Sequence, residues 1–412
     1  MNNPAADSKN KIIVQKYGGA TLATPEKIKS VARRIARKQK SGYKIVAVVS
    51  AMGQTTNDLI SLAQQVSSRP TLREMDMLLS VGERVSMSLL SMALNDLGCS
   101  AISLTGSQAG ILTDDLHANA NIMDVKAFRI EQALNENRIV ILAGFQGVSA
   151  TTKEVTTLGR GGSDISAVAM AEYLKAERCE ILKDVDGVYT ADPRLVTDAK
   201  RIQTLSTAHF LEMTSWGAKV LNSRSVKLAL DKNVPLYIAS AENENREGTL
   251  ITNELTTTSA KQKPLALNSF QKIFEIKINH KPTVTISDRK KNFEDFELHL
   301  RHHNINGVQL LCDHEESFFI QAADEVLNAL ALFEKEQSLY QIIDPGLSSL
   351  SLTLSHPCQK SDFQKIDEIL ISSEIAVRHA FFTGYSCHFF LAAELRTVAV
   401  QKTHCLFNEL IF

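Results

Sequence analysis

The 412-residue sequence predicts an α/β fold with a mainly parallel central sheet, followed by two small α+β modules. Three observations carry this. Short apolar runs alternate with helical patterns up to about residue 250. Glycine is concentrated in the same part: 16 of 19 glycines lie at or before Gly248, and all nine methionines at or before Met213. Beyond residue 264 the rhythm changes to βαββα, and that order occurs twice, in units of some 65 residues.

The elements follow in order. Ile12–Val14 reads as the first strand, and Thr24 as the N-cap of a helix with Pro25 at its first position. Ile45–Ser50 is the next strand and Asn57–Val66 a helix; Glu74–Leu97 is a long helical pattern bent at Gly82. Ala101–Leu104 and Ile139–Ala143 are strands, Ile165–Lys175 is a helix entered from a glycine loop, and Glu180–Lys183 is a strand ending in DVDG. Residues 1–10 are a frayed polar tail, 11–250 a first domain, 251–264 a Thr/Lys-rich linker and 265–412 the repeated modules. In those modules Phe274–Ile278 or Thr283–Ile286 is a strand, Phe293–His302 a helix, Val308–Leu311 and Ser317–Gln321 strands, and Val326–Glu336 a helix. The second copy reads Ser349–Leu354, Phe363–Ser372, Ala376–Phe382, His388–Ala392 and Val398–Leu410.

Composition narrows the function. Apolar residues make up 44%, charged residues 22%, and the net charge is −1 with no block of like charge, which argues against nucleic acid or an anionic membrane as partner. The apolar runs read as too short to span a bilayer, and the N-terminus lacks the apolar core of a signal peptide. The six cysteines have no CxxC spacing and read as free thiols in a reducing cytoplasm. Histidines do not cluster, and GxSxG and HExxH are absent. What remains is lysine, arginine, aspartate and glycine loops, an inventory suited to phosphoryl transfer, where catalysis is positioning and charge neutralisation.

Four stretches concentrate that inventory. VQKYGGAT sets Lys16 at a strand end before Gly18 and Gly19, either an ordinary turn or a place where backbone N–H groups approach a phosphate. TTLGRGGSD runs straight into a helix, with Ser163 or Asp164 as its cap; it is either a tight capped turn or an anion site with Arg160 as a bidentate fork. KDVDGVYTADPR, residues 183–194, leaves a strand end, where α/β proteins place ligands, and reads equally as a solvated loop. SVGERVSM puts Glu83 and Arg84 in an apolar helical pattern, either as a structural ion pair or with Glu83 free to bind an ammonium group.

Together KYGGAT, VVSAMGQTTNDL, EMDMLLSVGERVSMSLL, LTGSQAGILTD, AGFQGV, TTLGRGGSD, DVDGVYTADPR and WGAKVLNSR stand in the order found in aspartokinases, and the chain resembles that family densely over residues 11–250. The resemblance implies an amino-acid-kinase fold followed by two ACT-like (βαββαβ) modules. It implies transfer of the ATP γ-phosphate to the β-carboxylate of L-aspartate, giving 4-phospho-L-aspartate, the first step toward lysine, threonine and methionine. It implies Lys16 and Asp164 as catalytic residues, and Lys16, Tyr17, Gly18, Gly19, Lys183, Asp184, Tyr189, Asp192, Arg194 and Lys219 on the ATP side. Ser50, Thr56, Glu83, Arg160, Gly161, Gly162 and Ser163 would surround aspartate, with Glu83 on its ammonium group. Two Mg2+ ions would be held largely through the phosphates, with no protein ligand assigned.

The sequence departs from the family at several points. Ala20 replaces Ser or Thr, Lys183 stands where Thr or Ser is common, and Asn222-Ser223 replaces His-Pro. The C-terminal resemblance is fainter: Lys290-Lys291 replace Pro-Gly, and SHPC at Ser355–Cys358 loses a glycine. The expectation is that these modules chiefly make a homodimer or homotetramer, with weak or absent feedback by lysine or threonine. No homoserine dehydrogenase portion is expected after Phe412. The alternatives are a sibling kinase acting on glutamate, acetylglutamate or UMP, and a catalytically silent paralogue.

Overall fold

The computed structural model describes residues 11–254, 264–278, 307–312, 315–321 and 340–411. The chain forms two compact units. The first takes the chain up to Val188, Arg201–Leu211 and the stretch from Lys219; the second takes Tyr189–Lys200, Glu212–Ala218 and the C-terminal part.

The elements of the N-terminal stretch are β1 (Ile12–Tyr17), α1 (Pro25–Lys40), β2 (Lys44–Val49), α2 (Thr55–Val66), α3 (Leu72–Leu79), α4 (Val81–Asp96), β3 (Ala101–Leu104), β4 (Ile111–Thr113), β5 (Ile122–Val125), α5 (Phe128–Asn135), β6 (Ile139–Ala143), β7 (Gln146–Ser149), β8 (Val155–Thr157), α6 (Gly162–Tyr173) and β9 (Arg178–Lys183). They are followed by β10 (Thr204–Ser206), α7 (Thr207–Ser215), α8 (Ser223–Asp231), β11 (Leu236–Ser240) and β12 (Thr249–Thr252). Eight strands form one sheet in the order β10-β12-β11-β9-β1-β2-β6-β3. Its middle, from β11 to β3, is parallel throughout, and only the β11–β12 pair runs antiparallel.

Both faces of the central strands are covered, so they read as continuous apolar runs rather than alternating ones. Ile13 and Tyr17, Ile45, Ala47 and Val49, and Ile139 and Ile141 pack on one face against Val31 and Ile35 of α1 and Leu90 and Leu94 of α4. The helix α6 packs against β1, β2 and β9. A buried polar line crosses the strands: Gln15 donates to Glu180 at 2.8 Å, the Tyr17 hydroxyl donates to Gln15 at 3.1 Å, and Arg178 donates to Glu180 at 2.7 Å. Each buried polar atom in that line has a partner, which keeps its desolvation cost from going uncompensated.

Several expectations are corrected. The long helical pattern breaks at Ser80 into α3 and α4, not at Gly82. By length and composition the run Leu72–Asp96 is apolar enough to cross a bilayer, contrary to the sequence reading. Here it is a bent core helix pair that buries Met87, Leu90 and Leu94. A second, four-stranded sheet, β5-β4-β7-β8, escaped the sequence reading because its strands are only three or four residues long, too short to show a period. The Thr/Lys-rich stretch begins inside β12, where Ile251 pairs with both Leu205 and Leu236.

In the second unit the strands are β13 (Pro264–Asn268), β14 (Ile273–Ile278), β15 (Gly307–Cys312), β16 (Glu315–Gln321) and β17 (Tyr340–Leu354), followed by α9 (Lys360–Ser372), β18 (Val377–Phe382), β19 (Ser386–Ala392) and α10 (Arg396–Ile411). They form one sheet, β15-β16-β14-β17-β19-β18, with β13 beside β17. The 15-residue β17 joins the α+β modules in one sheet: its first half pairs with β14 and its second half with β13 and β19. Thr283–Ile286, Phe293–His302 and Val326–Glu336 lie outside the described residues.

Leu90 is fully buried in the first core, whereas its neighbour Leu89 is 37% exposed. Leu90→Ala is expected to destabilise by about 2–5 kcal/mol, and Leu89→Ala by no more than about 0.5 kcal/mol, in chemical denaturation.

Candidate active site

The sheet itself builds the charged centre. Lys16 lies near the carboxyl end of β1, in register with Val48 of β2 and Ile181 of β9. Strand alternation puts Lys183, two residues past Ile181, on the same face as Lys16. The first turn of α6 brings Asp164 to both. Lys16 Nζ lies 2.6 Å from Asp164 Oδ1, and Lys183 Nζ lies 3.8 Å from Asp164 Oδ2. Lys183 also donates to the Val220 carbonyl at 2.6 Å. Lys16 and Asp164 are 5% and 4% exposed. Burial alone would raise the Asp164 carboxyl, but the ammonium groups of Lys16 and Lys183 hold it below the usual carboxylate range. Burial, with Lys16 adding to it, pushes Lys183 down. Two cations against one anion leave the cluster one positive charge in excess.

The glycine loop delivers Asp164 in a way the sequence reading did not foresee. The N-cap of α6 is Gly161, at φ +74°, so Ser163 and Asp164 lie within the first turn and neither is the cap. The left-handed Gly161 closes the turn early, its carbonyl accepting from both Asp164 and Ile165 N–H. A Cβ at Gly161 would lie 2.4 Å from Asn222 Cβ. Asn222 itself caps α8, accepting from Arg224 N–H at 2.9 Å, which gives the Asn-Ser departure a local cause. Arg224 then donates to Asn119 Oδ1 and to the Leu158 carbonyl, at 2.8 and 2.7 Å, bracing the loop.

A second brace also went unforeseen. Asp76 of α3 is fully buried, accepts from Ala118 N–H at 3.0 Å and from the Thr157 hydroxyl, and lies 2.7 Å from His117 Nδ1. A lone aspartate inside the apolar EMDMLL run was the signal for it.

The two remaining loops interlock beside Lys16. Gly19 N–H is not the link; its carbonyl is, accepting from Gly53 N–H at 3.1 Å, while Ser50 N–H donates to Tyr17 O at 3.1 Å. A Cβ on Gly19 would lie 2.7 Å from the Ala51 carbonyl, so this approach requires glycine. Thr21 donates to the Gly18 carbonyl at 2.6 Å, so a hydroxyl survives next to the Ala20 departure. Glu83, in the first turn of α4, is 4% exposed and accepts from Ala51 N–H at 3.1 Å through Oε1. Its Oε2 has no hydrogen-bond partner among the described residues. No Glu83–Arg84 ion pair forms. Burial pushes the Glu83 carboxyl up to about 7, against the opposing effects of the Ala51 N–H and Lys16.

The other predicted positions are more dispersed. Thr56 is half-buried in the first turn of α2, and Arg160, Asp184 and Lys219 are exposed. Tyr189, Asp192 and Arg194 belong to the second unit, where Arg194 grips Asp192 through Nε and Nη2 at 3.0 and 2.7 Å. Among the described residues no group of three His, Cys, Asp or Glu could hold a metal ion.

The family model of the amino acid kinase family matches residues 11–240. The chain belongs to the amino acid kinase family. Within it, the aspartokinase of Corynebacterium glutamicum is 52% identical over 244 residues, 59% of this chain and 58% of that protein. The match thus spans somewhat under three-fifths of the curated relative's length. Among solved structures, E. coli aspartokinase III in complex with aspartate and ADP has a TM-score of 0.78 at 22% identity, covering 96% of this chain and 99% of that one. The aspartate kinase from Synechocystis has a TM-score of 0.54 at 31% identity, covering 96% of this chain and 69% of that one. The E. coli likeness carries the fold: an amino-acid-kinase α/β unit and ACT-like α+β modules.

In this amino acid kinase the raised Glu83 has a consequence for stability. The folded state holds a proton there that the unfolded chain releases at the ordinary value of 4.5, so stability falls as pH rises from 4.5 through 7 and levels off above. Glu83→Gln is expected to flatten that slope and to be more stable than the parent at pH 8, by on the order of 3 kcal/mol. Denaturant unfolding across this pH range checks it.

Proposed function

We propose that this amino acid kinase transfers the γ-phosphate of ATP to the β-carboxylate of L-aspartate. The observation that carries the reading is the buried Lys16–Asp164 pair, with half-buried Lys183 beside it, at the carboxyl ends of β1 and β9. The aspartokinase relative supports the choice of substrate.

The chemistry suits such a cluster. An aspartate carboxyl ionises near 3.9, so the acceptor is already a nucleophile at neutral pH and needs no general base. The obstacle is bringing two anions together, which calls for fixed cations and N–H dipoles. Asp164 restrains the Lys16 ammonium so that it faces the transferring oxygens without searching for them. Lys183 adds the second positive charge, with Asp184 and Lys219 on the same nucleotide side. Gly18 and Gly19 leave the backbone open to the phosphates, and Gly161, Gly162 and Ser163 carry the N-terminus of α6 toward them.

Glu83 receives the substrate ammonium: its unpartnered Oε2 gains a donor, and the arriving cation restores the ionised form. Arg160 clamps a substrate carboxylate, and Ser50 and Thr56 line the same pocket. Mg2+ would arrive with the nucleotide and would supply positive charge that offsets its phosphates. The donor set fits that role, since Asp164 is already engaged by two ammonium groups and no protein cage for a bare ion is required. Self-association would run through the second unit, where Ile371 of α9 and Phe382 of the edge strand β18 are 65% and 48% exposed. An ATP-dependent step on a free amino acid belongs in the cytoplasm.

The test is ATP-dependent hydroxamate formation with aspartate, glutamate and acetylglutamate as acceptors. Aspartate is expected to be preferred, Lys16→Ala to lower turnover at least 10²–10³-fold, and Glu83→Gln to raise KM for aspartate about tenfold or more. Unchanged turnover in Lys16→Ala would refute the role of Lys16.

A further inference from the structure

The SHPC turn has no part in the reaction proposed above, yet it is firmly built. The chain leaves β17 at Leu354 and reaches Cys358 just before α9. Cys358 N–H donates to the Gly384 carbonyl at 2.9 Å, tying the turn to the β18–β19 connection. From the other side, Asp362 Oδ2 accepts from Gln359 N–H at 2.9 Å and lies 3.1 Å from His356 Nε2. These bonds hold the Cys358 side chain over β19. There Cys387, in register with Leu352 of β17, presents its sulfur 3.0 Å from the sulfur of Cys358. A disulfide needs about 2.05 Å, so closure takes a movement of about 1 Å.

We propose that Cys358 and Cys387 are a dithiol modification site, oxidised to an intramolecular disulfide by low-molecular-weight disulfides such as oxidised glutathione. The two sulfurs divide the work by exposure: Cys358 is half-buried, whereas Cys387 is fully buried. The Cys358 thiolate attacks one sulfur of the small disulfide, forming a mixed disulfide and expelling one thiolate. Cys387, giving up its proton, then attacks Cys358 Sγ and expels the second. Two protein thiols lose two hydrogens and two electrons, and the small disulfide is reduced to two thiols. The product joins the SHPC turn to β19 across 29 residues of sequence.

Burial keeps both thiols protonated, and Asp362 and Glu212, the acidic groups facing Cys358, add to this. Exchange is therefore slow at neutral pH and accelerates as pH rises, since only the thiolate attacks. Cys405 is exposed on α10 and serves as an internal reference.

The experiment treats the folded full-length chain with oxidised glutathione at pH 7 and pH 8, alkylates the remaining thiols, and maps peptides by mass spectrometry. The expected result is a Cys358–Cys387 cross-linked peptide, two hydrogens lighter than the reduced pair, reversed by dithiothreitol. It should form roughly tenfold faster at pH 8. Cys387→Ala should halt the reaction at a glutathione adduct on Cys358. Cys358→Ser, a change at the half-buried turn that spares the core, should leave Cys387 unmodified. A stable glutathione adduct on Cys358 in the parent chain, or full alkylation of both cysteines while Cys405 is modified, would overturn the proposal.

Discussion

Lys16 and Asp164 hold opposite charges 2.6 Å apart where only 5% and 4% of the two residues reach solvent. Such a pair is costly to bury and repays that cost only when its geometry is tight and its remaining valences are met. Removing one partner would strand a buried charge, at about 3–5 kcal/mol. The fold of the first unit sets that geometry, with Asp164 Oδ1 meeting Lys16 as an ion-pair contact rather than through an aligned hydrogen bond. The parallel register of β1 and β9 sets Lys16 and Lys183 on one face, and α6 enters that face with Asp164 in its first turn, where the helix dipole favours an anion. Lys183 supplies the second cation, and the Val220 carbonyl engages its ammonium in turn.

The supports around this centre are polar: half-buried Arg224 braces a loop, and buried Asp76 grips the end of β8 and the chain at Ala118. Arg224 holds Leu158 and Asn119, Asp76 holds Thr157 and Ala118, and Gly161 allows Asn222 to pack against the loop. The Leu158–Ser163 segment is thereby fixed from several directions while Arg160 stays exposed. Glu83 is the contrasting case. Among the described residues its second oxygen has no hydrogen-bond partner, and burial pushes the carboxyl up to about 7. A buried carboxyl of this kind supports the proposed role of Glu83 toward the substrate ammonium group.

The charged loops were legible in the sequence because their residues are adjacent: Lys16 beside Gly18-Gly19, and Arg160 beside Asp164. So were the long strands and helices, where apolar periodicity runs for six residues or more, as in β1, β2 and α1. What the sequence concealed depends on distance along the chain. Asp76 meets Thr157 across 81 residues, Arg224 meets Asn119 across 105, and no local pattern announces either. The shift of the helix cap from Ser163 or Asp164 to Gly161 turns on a left-handed φ that composition alone does not reveal. In the second unit the repeat was visible, but β17 merges its two copies into one sheet, a pairing that periodicity cannot distinguish from two.

We propose that Asp164 acts by holding Lys16 at the transferring phosphate rather than by touching the substrate. Asp164→Asn keeps the shape and removes the charge, so steady-state kinetics on this variant test the claim most directly. The expected result is a fall in kcat of about 10²-fold or more, with KM for aspartate and for ATP changed by no more than about threefold. An unaltered kcat, or a loss confined to KM for aspartate, would contradict it.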